Sequence, residues 1–135
     1  MQPNRINRII DGYYYSAHWY CHHKPETLDP IETTHCRMAF TILYITNLLF
    51  LCTHISTRDY FIFVFPLLFN PFTVNFCVRL NDVRYQKKNR KKVIKYFDKK
   101  PKRHKAFIIV LSQVFFYSLF VMNLVLLYRR IHACL

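Results

Sequence analysis

"AFIIVLSQVFFYSLFVMNLVLLY", residues 106–128, runs for 23 residues without a formal charge. Its polar side chains are Ser112, Gln113, Ser118 and Asn123, too few to give a buried helix a wetted outer face. Working outward, "MAFTILYITNLLFLCTHI" (38–55) is uncharged over 18 residues. As a helix it would be about 27 Å long, near the hydrocarbon thickness of a bilayer. A third apolar run, "YFIFVFPLLFNPFTVNFCV", covers 60–78. The three runs predict an all-α integral membrane protein with transmembrane helices at 38–55, 60–78 and 106–128. Only "STRD" (56–59) separates the first two, so they should form an antiparallel hairpin. Pro66 and Pro71, with Asn70 between them, should kink the second span, because each proline removes a backbone donor. Asn70, Thr73 or a neighbouring helix should meet the freed groups.

Composition agrees with long helices. Of 135 residues, one is Gly, which disfavours turn-rich β structure and phosphate-cradling glycine loops. Five cysteines at irregular spacings (Cys21, Cys36, Cys52, Cys77, Cys134) do not read as a disulfide framework.

The net charge of +13 is concentrated in one block. Thirteen of the 20 Lys and Arg lie in residues 79–105, beside only Asp82 and Asp98. Seven bases and five acids make up the remainder. Short loops rich in Lys and Arg stay on the side from which insertion starts. Residues 1–37 and the basic loop 79–105 therefore belong on one side, and the "STRD" tip and the tail 129–135 on the other. Arg129 and Arg130 oppose this order but are outnumbered. Arg84, Lys87, Lys88, Arg90, Lys91, Lys92 and Lys95 are the expected contacts to anionic phospholipids such as cardiolipin, or to acidic partner subunits. Val93, Ile94 and Phe97 share a helical face and suggest an amphipathic helix on the membrane. The block lacks the aromatic interleaving or motif of a nucleic-acid reader, so nucleic acid is not an expected partner.

Within the spans, Asn47 with His54 and Ser112 with Asn123 fall near common helical faces. Lipid offers such groups no hydrogen bonds, so these faces should meet other helices, in this chain or another. His54, His104 and His132 are not paired at one depth, so no haem or other cofactor is expected.

Residues 1–37 are aromatic and rich in histidine. Tyr13, Tyr14, Tyr15, Trp19 and Tyr20 are the expected partner-docking residues, since free tails are poor in aromatics. Pro25 and Pro30 make the segment read as an extended arm broken at "KPE" and "LDP"; Arg5, Arg8, Ile6, Ile9 and Ile10 allow a short basic helix at its start. His18, Cys21, His22, His23, His35 and Cys36 are zinc-ligand types, but their spacing matches no standard finger. "MQPNRINRII" lacks the apolar core of a secretory signal.

No catalytic spacing or cofactor fingerprint is present, so an enzyme is not expected. The functional expectation is a non-catalytic accessory or structural subunit of a multi-subunit membrane complex. Such a chain suits a respiratory-type assembly of the mitochondrial inner membrane, with the N-terminus and basic loop in the matrix; the endoplasmic reticulum is the alternative site. The competing expectation is a small homo-oligomeric channel or transporter whose path follows the break between Pro66 and Pro71.

Overall fold

The computed structural model describes residues 4–23 and 29–133. Among these the structure is helical throughout, with no strand. The helices are α1 (Arg5–His23), α2 (Pro30–Leu51), α3 (Thr57–Asp59), a π-helix (Tyr60–Val64), α4 (Phe65–Leu68), α5 (Pro71–Arg84), α6 (Lys87–Asp98) and α7 (Lys102–Ala133).

Helix ends follow local chemistry. Asp29 caps α2, its carboxylate accepting from the backbone N–H groups of Ile31 (3.0 Å) and Glu32 (3.3 Å). Pro30 then occupies the first turn, where its missing N–H costs nothing. The "LDP" signal is therefore a helix start. Asn70 caps α5 in the same way, accepting from the Thr73 N–H at 2.8 Å, with Pro71 next. Pro25, the other expected break, lies outside the described residues.

Residues 5–23 correct the extended-arm expectation. No proline interrupts them, and the one glycine, Gly12, lies 3.4 Å (measured from an ideal Cβ) from the Phe97 ring. A helix here buries Tyr14, Tyr15, Ser16, Ala17 and Cys21 against α2, α6 and α7.

Side-chain contacts give the register. His35 at the start of α2 meets Asp82 near the end of α5, and Asn47 meets Tyr60, so the two run antiparallel. Ala39, Leu43, Leu68 and Cys77 fill the space between them. Arg37 meets Gln113, Asn47 meets Asn123, and Arg130 meets Leu51, so α2 and α7 run in the same direction. The hairpin tip and the end of α7 therefore lie together, opposite α6 and its bases.

One described helix, α7, is long and apolar enough to cross a membrane, and only 11% of its most apolar 18 residues is buried inside the protein. The segment Thr57–Leu68 with Pro71–Arg84, bent by 45° at its break, supplies a second if the pair is one span. The third expected span does not meet this criterion: α2 carries His35, Arg37 and Asn47, and it ends at Leu51 rather than at residue 55.

At the break, the Asn70 amide donates to the carbonyls of Pro66 (3.1 Å) and Leu67 (2.9 Å). The Thr73 hydroxyl also donates to Leu67, at 2.7 Å. Of the expected donors, Asn70 and Thr73 meet these carbonyls within the chain.

Candidate functional site at the basic end

Helix α6 places its bases outward and its apolar side inward. Val93 and Ile94 are half-buried and Phe97 is buried. The Phe97 ring stacks on Tyr15 with centroids 5.3 Å apart, and Val93 packs beside Tyr14 and Tyr85. The amphipathic face expected to lie on the membrane is thus occupied by α1. Lys87, Lys88, Lys91, Lys92 and Lys95 are exposed, and Arg90 is half-buried. Arg84 is held apart from them, donating to Asn7 (3.3 Å) and Asp11 (3.5 Å).

Tyr14 and Tyr15 are almost wholly buried and have their partners within the chain. The Tyr14 ring stacks on Tyr85 at 3.8 Å, and the Tyr85 hydroxyl donates to Asp11 at 2.8 Å. His35 donates from Nδ1 to Asp82, and its Nε2 lies 3.4 Å from the Tyr14 hydroxyl. Tyr15 donates to Asp98 at 2.8 Å; burial first, then that contact, pushes its phenol up to about 12. Tyr13 is half-buried, its hydroxyl 2.7 Å from that of Thr41. Tyr20 lies beneath the Arg37 guanidinium, which is 4.7 Å from its ring and 4.2 Å from Phe116. Of the five aromatic residues expected to dock a partner, Trp19 alone is classed as exposed. Sequence reasoning missed Tyr85, Asp11 and Asp82 as members of this junction; the inward period of Tyr14 and Cys21 on an unbroken helix was the available signal.

The zinc candidates do not converge. Among the described residues no three His, Cys, Asp or Glu gather as a metal site. His22 and His23 each spend Nδ1 on a carbonyl four residues back, at 3.0 and 2.8 Å. Cys21 is buried, Cys36 half-buried and His35 committed to Asp82.

His18 is the unsatisfied member. Its Nδ1 is buried without a hydrogen-bond partner, and its ring centroid lies 3.8 Å from that of His22. Burial, then the neighbouring His22 and Arg90, hold its pKa down to about 4. The unfolded chain therefore binds the His18 proton more readily between pH 4 and 6.5, and stability falls as pH drops through that window. With solvent screening of this half-buried ring, the expected loss is about 1 kcal/mol. Thermal unfolding at pH 7.5 and 4.5 should show a fall in midpoint that His18→Gln reduces.

Beside this junction a cleft of about 1030 Å³ opens between α1, α2, α5, α6 and α7. Its walls are mainly apolar, and Arg8, Arg84, Lys100 and His104 are its basic residues. Comparison with family models, curated proteins and solved structures found no match to the chain. Its chemistry is therefore read from its own residues.

Proposed function

We propose that the chain is a non-catalytic accessory subunit of a multi-subunit membrane complex, crossing the membrane three times by α2, the broken α3–α5 segment and α7. The observation that carries this reading is the alignment of the helices. α2 and α7 run in one direction and α5 in the other, with the basic block at one end and the hairpin tip at the other. That order is what short positively charged loops impose during insertion. Long apolar faces on α5 and α7, including Phe72, Phe76, Phe107 and Val114, are free to meet lipid or partner helices. The exposed lysines of α6 suit anionic headgroups such as those of cardiolipin, and Trp19 suits a partner's surface. The location we infer is the mitochondrial inner membrane, in a respiratory-type assembly with α1 and α6 on the matrix side, by analogy with the small basic subunits such assemblies use. The endoplasmic reticulum fits the same topology. The channel reading is less favoured, because the carbonyls of Pro66 and Leu67 are already occupied by Asn70 and Thr73.

Cysteine labelling tests the topology. Cys52 is exposed beside the hairpin tip, and Lys91→Cys would report on α6. With the other cysteines replaced by serine, an impermeant maleimide should reach the two sites from opposite faces of sealed vesicles. Labelling of both from one face would overturn the three-span arrangement. Mild detergent extraction and native gels should recover the chain with other subunits; recovery as a lone monomer would overturn the accessory role.

A further inference from the structure

The cleft beside α1 is polarised along the helix axes. Arg8, Arg84, Lys100 and His104 lie towards the basic end, whereas Ile42, Ile45, Leu111 and Phe115 line it farther along α2 and α7. We propose that this cleft is a specific slot for one anionic phospholipid, with its phosphate among the four basic residues and its acyl tails against the apolar wall. The inference rests on the membrane-subunit reading and adds to it a defined lipid site, distinct from the lysines exposed on α6.

Three observations select this occupant. No carboxylate lines the cleft, and Asp11 offsets only Arg84, so an anion at the mouth has complementary charge. Lys100 is placed with its ammonium 4.7 Å from the centre of the Tyr96 ring, and both residues line the cleft. The volume of 1030 Å³ is roughly seven times that of a cavity known to hold one benzene. That leaves room for roughly forty carbons, about two ordinary acyl tails. The walls are too apolar for a nucleotide or sugar, whose hydroxyls would go unpaired there. The polarity also matches a lipid's orientation, with phosphate at the basic side and tails toward the middle of the span.

Native mass spectrometry of the full chain, supplied with dioleoyl phosphatidylglycerol or dioleoyl phosphatidylcholine in detergent, tests the slot. One phosphatidylglycerol should be retained per chain in preference to phosphatidylcholine. Arg8→Gln with Lys100→Gln should lower that retention about tenfold. Lys99→Gln with Arg103→Gln removes the same charge outside the cleft and should lower it less than about twofold. Ile42→Trp, which fills the apolar wall, should reduce retention of both lipids. Of the residues changed in the two double variants Lys100 is half-buried and the rest are exposed, and matching helicity by circular dichroism confirms that both are folded. Equal loss in both double variants would reduce the effect to diffuse surface charge and overturn the slot, as would retention unaffected by Ile42→Trp. Displacement of the lipid by glycerol 3-phosphate alone would overturn the role of the tails. Release of the chain from vesicles by alkaline carbonate would instead defeat the membrane reading. A chain that stays in the membrane without holding phosphatidylglycerol defeats only the slot.

Discussion

Replacing Asn47 by leucine is expected to destabilise the protein by about 2–3 kcal/mol, because it strips partners from two other buried polar groups. The Asn47 amide donates to the Asn123 side-chain oxygen at 2.8 Å, and the Asn47 oxygen accepts from the Tyr60 hydroxyl at 2.5 Å. All three residues are buried, Tyr60 completely. Asn123 spends its own amide on the carbonyls of Leu119 (2.8 Å) and Tyr44 (3.2 Å). One asparagine thus joins α2, the π-helix and α7. On the proposed three-span reading, a hydrogen bond between membrane helices is worth only about 0.6 kcal/mol on average, and the greater part of the expected cost comes from the groups left unpaired. Asn47→Leu combined with Asn123→Leu should therefore cost less than the sum of the two single changes. Equilibrium unfolding in mixed micelles measures the cycle; strict additivity would mean that the two residues are not coupled.

Arg130→Met is expected to cost about 2 kcal/mol, the lower part of the range for partly exposed charged hydrogen bonds. Its guanidinium donates to the carbonyls of Ile55 (2.5 Å), Leu51 (2.9 Å) and Thr53 (2.7 Å). Leu51 is the last residue of α2, where a carbonyl has no partner within the helix, and Thr53 and Ile55 follow it in the connection to α3. A cation there also faces the negative end of the α2 dipole. Lysine carries the charge but not the planar fork, so Arg130→Lys should recover less than half of the loss. Exposed Arg129 is the control, and Arg129→Met should change stability by less than about 0.5 kcal/mol. The same unfolding measurement decides it: equal effects at 129 and 130 would show that only net charge matters there.

How much of this was legible in the sequence depends on the range of the interaction. The hairpin followed from four residues, "STRD", and the contact of His35 with Asp82 places its open end as expected. The kink and its remedy were both local, within Pro66 to Thr73. Asn47 and Asn123 were recognisable as groups in need of partners. Their partnership with each other was not, because one-helix periodicity groups Asn47 with His54 and Asn123 with Ser112 and carries no information on register between helices. The segment 5–23 was misread as extended because proline beyond it and a dense run of tyrosines resembled a docking tail. Its inward period becomes informative only once α2, α6 and α7 supply a surface. The face of Val93, Ile94 and Phe97 was visible, but a single sequence does not say whether lipid or another helix covers it. Arg130 counted only as a charge on the unfavoured side, since the gathering of the Leu51, Thr53 and Ile55 carbonyls is a property of the folded connection after α2.

The parallel pairing of α2 with α7 also has a consequence for biogenesis. Asn123 and Arg130 are translated after every group they bind, so a nascent chain holds its first two apolar segments with the Asn47 amide and the carbonyls of Leu51, Thr53 and Ile55 still waiting. The final helix acts as a latch, and a ribosome paused before codon 123 would display an open intermediate to whichever chaperone or insertase attends it.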